Sequence, residues 1–214
     1  MSEPLALLGA VLAGAPLGLV ADRLSTRWPA HEDAYVRRWP DWRTAVVVIA
    51  GAAVAGGLVS RWQQPLELAV LGVFCGALIV LLATDLDQRL LPDLVTLPLI
   101  GYSAVVLALN LSPLLADKPL GLVSGVGAAI GAPLLLFVTD RLMGGQLGGG
   151  DLKLAVSLGL MCGALLLFAG LIVASIGFSI VLLALIAARR LTLKSAVPFG
   201  PVLIVGAFVA VMTG

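Results

Sequence analysis

The residues of this sequence best suited to chemistry are the carboxylates of two acidic clusters, each beside a long apolar run. Asp85 follows the apolar residues 78–83 after one threonine, and Asp151 stands between the glycines 148–150 and another largely apolar run. A carboxylate near hydrocarbon is costly, so it normally faces a watery cavity or a bundle interior. Two that meet can share a proton, one acting as base on a water molecule while the other donates to a carbonyl oxygen. The sequence therefore predicts a paired-carboxylate site if Asp85 and Asp151 lie at the same level.

The acidic residues of both clusters also have structural interpretations. Asp151 could be an N-cap that accepts hydrogen bonds from free N–H groups at the start of a helix. Asp93 is predicted to cap the next apolar helix in this way, and Asp87 is predicted to be solvated beside Arg89. Asp85 is the hardest of them to explain structurally, because an apolar run leads directly to it.

The glycines before Asp151 form a candidate active-site loop of Gly148, Gly149 and Gly150, with Lys153 just beyond it. A phosphate-binding loop would need lysine where Asp151 stands, and a carboxylate there repels an anion. The glycines instead predict a hinge whose backbone can bend and approach a substrate closely. Lys153 either orients this loop, attracts an acidic substrate group or anchors the chain at the membrane surface.

The elements that must position these residues are membrane helices. The chain is 60% hydrophobic and only 12% charged, with a mean hydropathy of +1.11, and such a composition cannot cover a soluble surface. A membrane helix needs about 20 apolar residues. The sequence predicts an all-α, polytopic membrane helix bundle in one domain, residues 1–214. About eight transmembrane helices are expected, near residues 5–20, 44–59, 66–84, 94–109, 120–139, 152–161, 165–188 and 199–212.

The basic residues predict how this bundle is oriented. With the N-terminus outside, all of the 13 Lys and Arg except Arg61 and Lys118 fall on the inside, as the positive-inside rule requires. The same bias favours a helix break near Gly163, since one continuous helix there would move later basic residues outside. In this topology Asp85 and Asp151 lie on the inner face of the membrane.

Other classes of site are not predicted. The net charge is +1 and no basic block is present, so nucleic acid is not an expected partner. Cys75 and Cys162 lie apart in apolar runs and read as small buried hydrophobes, so we expect neither a metal site nor another cofactor.

Four stretches together resemble type IV prepilin peptidases, the membrane-embedded GxGD aspartyl proteases. Residues 148–154 resemble the GxGDxKL signature of that family, and residues 84–98 are similar to its first aspartate motif. Residues 198–201 resemble the motif that opens its last helix, and residues 14–29 resemble a degraded form of its first helix. These stretches occur in the family's order and cover nearly the whole chain.

This resemblance implies that Asp85 and Asp151 are the catalytic aspartates of an aspartic-type endopeptidase in the inner (cytoplasmic) membrane. It implies cleavage of the leader of type IV prepilins or pseudopilins at the cytoplasmic face, with the lipid bilayer as surroundings. Family members often also N-methylate the product through a segment with two CxxC pairs. Here the corresponding cytoplasmic loop, residues 21–43, is short and has no cysteine. The resemblance therefore covers proteolysis and does not extend to methyl transfer.

Two other classes are compatible with acidic residues in membrane helices. A small ion- or proton-coupled transporter would use them along a pathway, but both acidic clusters lie at one face and the helix interiors are apolar. A structural membrane subunit would not need either aspartate.

Overall fold

The computed structural model describes residues 3–28, 39–116, 118–143, 147–189 and 199–214. Within these ranges all regular secondary structure is helical, which confirms the predicted all-α class. The helices are α1 (Glu3–Ser25), α2 (Trp42–Arg61), α3 (Pro65–Gln88), α4 (Asp93–Ala108), α5 (Gly121–Met143), α6 (Gly149–Ala187) and α7 (Gly200–Thr213).

The helices have the lengths and apolarity of a multi-pass membrane protein. Five of those described, namely α1, α2, α3, α5 and α6, are long and apolar enough to cross a membrane, whereas α4 and α7 are shorter apolar helices. Helix α1 continues to Ser25 and α2 begins at Trp42, so the predicted loop 21–43 is helical at both ends. Residues 29–38 of that loop lie outside the described residues.

Helices α1 and α2 pack closely in opposite directions. Gly14 lies against the backbone of Gly51, and Gly18 lies against the backbone of Val47. Near the end of α1, the hydroxyl of Thr44 donates to Oδ2 of Asp22 at 2.9 Å. Small residues thus allow the close backbone approach that helix pairs use inside a membrane.

Helix α3 is the most deeply buried of the long helices, with its largest buried side chains at Leu71, Phe74, Leu78, Ile79 and Leu81. It begins with a proline in its first turn and ends at Gln88, followed by the C-cap residue Arg89, which adopts a left-handed conformation (φ 54°). The last turn of this central helix therefore stops at a defined residue just beyond the buried Asp85.

Helix α6 is broken at Gly163, which has φ 69° and ψ 174°. The hydroxyl of Ser112 donates to the carbonyl of Met161 at 3.0 Å, and the N–H of Ala164 donates to the hydroxyl of Ser124 at 3.0 Å. Backbone groups released by the break are thereby paired, as a membrane interior requires. The break that the sequence predicts near Gly163 is present.

The chain reverses direction at this break. Beyond it, Leu166 lies beside Gly214 at the end of α7, and Gly170 lies beside Gly206 further back, so residues 164–187 run antiparallel to α7. Residues 149–162 run the opposite way, towards the break. At 39 residues α6 would be about 58 Å long if straight, nearly twice a bilayer core of about 30 Å. The reversal lets both parts of α6 fit the same bundle.

The bundle has two distinct ends. We call the end that holds the last turn of α3 and the starts of α4, α6 and α7 the site end. At the opposite end, Nε1 of Trp62 donates to the carbonyl of Val211 at 3.2 Å, and Arg61 donates to the carbonyl of Gly214 at 3.1 Å. Helix α7 therefore runs from the site end to the opposite end.

Candidate active site

Asp85 lies in the last turn of α3, and its side chain is directed into the bundle. The residue is only 5% exposed. Its carbonyl accepts a hydrogen bond from the N–H of Arg89 at 2.9 Å, which closes the helix end. Its Oδ2 atom is buried and has no hydrogen-bond partner among the described residues. A buried carboxyl oxygen without a partner is costly to keep, so this atom is a candidate for contact with a reacting group.

Asp151 lies in the first turn of α6, with Gly148 at the N-cap position. The structural interpretation of Asp151 as the N-cap is therefore wrong. The carboxyl group folds back towards the cap, since a Cβ added at Gly148 would lie 3.4 Å from Oδ2 of Asp151. Asp151 lies at the same end of the bundle as Asp85, because Gly150 beside it packs against Leu91 just after α3, and at this separation the two carboxyl groups interact electrostatically. The structure thus brings together the two acidic residues that the sequence pairs.

The close fit of Gly150 brings α6 to the end of α3. A Cβ at Gly150 would lie 2.8 Å from the Cβ of Leu91 and 3.2 Å from its carbonyl oxygen, whereas a Cβ at Gly149 would meet nothing within 4 Å. Both residues belong to α6, and Gly163 is the only glycine of the described residues with a positive φ. The predicted loop at 148–150 is therefore mainly a helix start, where Gly150 permits contact with the segment after α3.

Lys153 joins the two acidic motifs through Asp93. Its Nζ lies 2.6 Å from Oδ1 of Asp93, and both side chains are partly exposed. The N-cap of α4 is Pro92, with Asp93 as the first helical residue, so the prediction that Asp93 is the cap is wrong. Of the interpretations open for Lys153, the ion pair agrees with an orienting role at the start of α6.

A polar network that the sequence did not predict supports the last turn of α3. Nη1 of Arg43 lies 3.1 Å from Oδ1 of Asp87 and also donates to the Asp87 carbonyl at 3.3 Å. The Asp87 side chain is only 3% exposed, so the prediction that it is solvated is wrong. Gln88 donates to the carbonyl of Ser25 at 2.9 Å. The buried Asp22 was missed because the predicted first span ended at residue 20.

Gly200 is a further residue of the site, and no role is predicted for it from the sequence. A Cβ there would lie 2.6 Å from Oδ2 and 2.9 Å from Cγ of Asp85. The only sequence feature that pointed to this position was the motif at 198–201. Its resemblance to a family motif does not indicate which residues it contacts.

The site can be described chemically as two close carboxyl groups, one deeply buried, at one end of an apolar bundle. Across the described ranges, no three His, Cys, Asp or Glu side chains are grouped as ligands of a metal ion would be. Carboxyl pairs of this kind perform general acid and base chemistry on a water molecule.

Known proteins resemble this chain over the same region. Residues 73–188 match the type IV leader peptidase family. A prepilin leader peptidase/N-methyltransferase of Burkholderia pseudomallei (strain 1026b) is 29% identical over 162 residues, which are 75% of this chain and 51% of that protein. Proteins of the same name are 30% identical in Pseudomonas putida (78% of this chain, 58% of the relative) and 31% identical in Bacillus subtilis (strain 168) (79% and 65%). The chain spans about half to two thirds of the length of these relatives. No solved structure matches it.

Proposed function

Since this chain belongs to the type IV leader peptidase family, we propose that it is a membrane aspartic endopeptidase that cleaves the leader of type IV prepilins or pseudopilins. The observation that carries the proposal is that Asp85 and Asp151 lie together at one end of the bundle, where Gly150 packs against Leu91. Both residues fall within the region that matches the family.

In the proposed reaction the two carboxyl groups share one proton. The ionised carboxylate takes a proton from a water molecule as its oxygen attacks the carbonyl carbon of the scissile peptide, and the protonated carboxyl donates to the carbonyl oxygen. Collapse of the tetrahedral intermediate breaks the C–N bond, and the leaving nitrogen takes up a proton from the pair. One water is consumed, so the products are a carboxylic acid and an amine. The roles are assigned to Asp85 and Asp151 as a pair, since coupled carboxyl groups titrate together.

The loop between α1 and α2 bears on which of the relatives' two activities we propose for this chain. The relatives are named for both leader peptidase and N-methyltransferase activity. Residues 21–43 contain no cysteine, so this loop lacks the CxxC pairs of the methyltransferase segment implied by the family resemblance. We therefore propose proteolysis for this chain and do not extend the proposal to methyl transfer.

The proposed topology has eight membrane crossings, with α6 crossing twice, and the N-terminus outside. The basic residues support it: those at the site end of the described helices are Arg23, Arg27, Arg43, Arg89, Arg141, Lys153 and Arg189, against Arg61 and Lys118 at the opposite end. By the positive-inside rule the site end faces the cytoplasm, so the leader is cut at the cytoplasmic face of the cytoplasmic membrane.

A transporter is disfavoured by where the buried charges lie. Among the described residues the buried acidic side chains are Asp22, Asp85 and Asp87, and all three lie at the site end. A proton or ion pathway needs polar groups at several depths. The apolar side chains of α3 between its start and Thr84 provide none.

Purified protein in detergent, incubated with a prepilin, tests the function by the appearance of a leader-sized fragment in mass spectrometry. Asp85→Asn and Asp151→Asn keep the shape of each side chain but remove its ionisable group. We expect each to lower the cleavage rate by about 10²–10⁴-fold or more. Glu67→Gln is the matched control, because Glu67 lies in the first turn of α3 at the opposite end. Substantial cleavage by either aspartate variant would refute the paired mechanism.

A further inference from the structure

The start of α7 contacts Asp85, although the proposed reaction assigns it no part. The three atoms nearest to a Cβ built on Gly200 are Oδ2, Cγ and Oδ1 of Asp85, at 2.6, 2.9 and 3.3 Å. All three belong to one carboxyl group. Any side chain at position 200 would therefore occupy the space of that group.

The carboxyl group of Asp85 depends on packing for its orientation. Its Oδ2 atom has no hydrogen-bond partner among the described residues, so on that side the neighbouring backbone is what holds it. Reacting groups must be held within about 0.5 Å of their productive positions. We propose that Gly200 is a positioning residue for the reaction, because its bare backbone is the wall against which the Asp85 carboxyl group is held facing Asp151. This inference rests on the proposed function and extends it to the motif at 198–201.

Helix α7 is suited to be a rigid wall. Pro201 lies in its first turn, and Gly200, Pro201 and the next three residues are all buried. Its far end is held to the end of α2 by the hydrogen bonds that Arg61 and Trp62 donate to its last carbonyl groups. The position of Gly200 is thus set from both ends of the helix.

Gly200→Ala tests the proposal through the kinetics of prepilin cleavage. We expect kcat to fall by about 100-fold with KM within about threefold of wild type, since a shift of about 1 Å in a reacting group has this effect. Gly206→Ala is the matched control on the same helix, because its Cβ would lie 2.8 Å from Leu171 Cδ2, away from Asp85. Both variants should lower Tm, but Gly206→Ala should keep a kcat near that of wild type. A kcat of Gly200→Ala within threefold of wild type would overturn the proposal.

A second measurement does not depend on activity and so separates this proposal from the proposed function. Asp85→Ala removes the carboxyl group that an alanine at position 200 would clash with. We expect Gly200→Ala to lower Tm in the wild-type background and to leave it nearly unchanged in the Asp85→Ala background, whereas the effect of Gly206→Ala should be the same in both. Equal Tm losses from Gly200→Ala in the two backgrounds, or a failure to fold in both, would show that the clash is not with Asp85.

Discussion

At the residue scale, Gly149 and Gly150 are adjacent in the sequence but have opposite surroundings. Gly150 lies against Leu91, whereas the space beside Gly149 is open. The same two-residue stretch thus contains one position that requires the absence of a side chain and one that does not. Because Gly150 lies next to Asp151, its contact also sets the distance between the two acidic motifs.

We therefore expect Gly150→Ala to lower the free energy of unfolding by about 1–3 kcal/mol, the usual cost of overpacking, and to slow cleavage. Gly149→Ala should leave Tm unchanged or raise it, because alanine is favoured over glycine in a helix by up to about 1 kcal/mol. Thermal unfolding in detergent compares the two variants. Equal losses of Tm would contradict the packing role of Gly150.

At the element scale, the break in α6 is stabilised by groups from outside that helix. Ser112 and Ser124 supply the hydroxyls that bond to Met161 and Ala164 on either side of Gly163. The positive φ of Gly163 is a conformation that residues with side chains rarely adopt. A Cβ there would also lie 2.8 Å from the Ser124 hydroxyl oxygen. Helix α6 can reverse at this point because Gly163 adopts the required backbone conformation and the two serine hydroxyls pair the backbone groups that the break leaves free.

Gly163→Ala should destabilise the bundle by about 1–3 kcal/mol from backbone strain alone. Ser124→Ala should destabilise it by about 1–3 kcal/mol, because the Ala164 N–H loses the partner of its part-buried hydrogen bond. Gly177→Ala is the control in the same helix, because its added Cβ would meet nothing within 4 Å. The midpoint of thermal unfolding measures each effect. A Gly163→Ala protein as stable as Gly177→Ala would exclude the left-handed conformation at residue 163.

At the scale of the whole molecule, the surface is apolar over most of the helix lengths. Large exposed hydrophobic side chains occur on the described parts of every helix. They are few on α7 and most frequent on α1, α5 and the second part of α6. Such a surface fits contact with lipid. The opposing distribution of basic residues then predicts which end faces the cytoplasm.

Cysteine labelling tests that orientation. Gln63→Cys, exposed just after α2 at the opposite end, should react with a membrane-impermeant maleimide on intact cells. Leu142→Cys, at a position 82% exposed near the end of α5, should react only after permeabilisation. The wild-type protein is the control, because Cys75 and Cys162 are buried and should stay unlabelled. The reverse labelling pattern would invert the proposed topology.

The properties that depend on composition and on neighbouring residues can be predicted from the sequence. Its apolar runs predicted an all-α membrane bundle, since hydrocarbon requires helices long enough to cross it. Its glycine and charge pattern predicted the break near Gly163. Two acidic clusters at apolar boundaries pointed to Asp85 and Asp151, because carboxylates in such places are costly without a role.

The contacts of each side chain are visible only in the folded bundle. Asp93 pairs with Lys153, 60 residues away, and Asp87 is buried against Arg43, 44 residues away. Gly200 lies against Asp85, and Gly150 lies against Leu91. Helix propensity and hydropathy describe how a residue relates to its neighbours in the chain. They carry no information about which face of another helix comes within contact distance. The packing of α3, α6 and α7 is what places two separate acidic motifs in one candidate site.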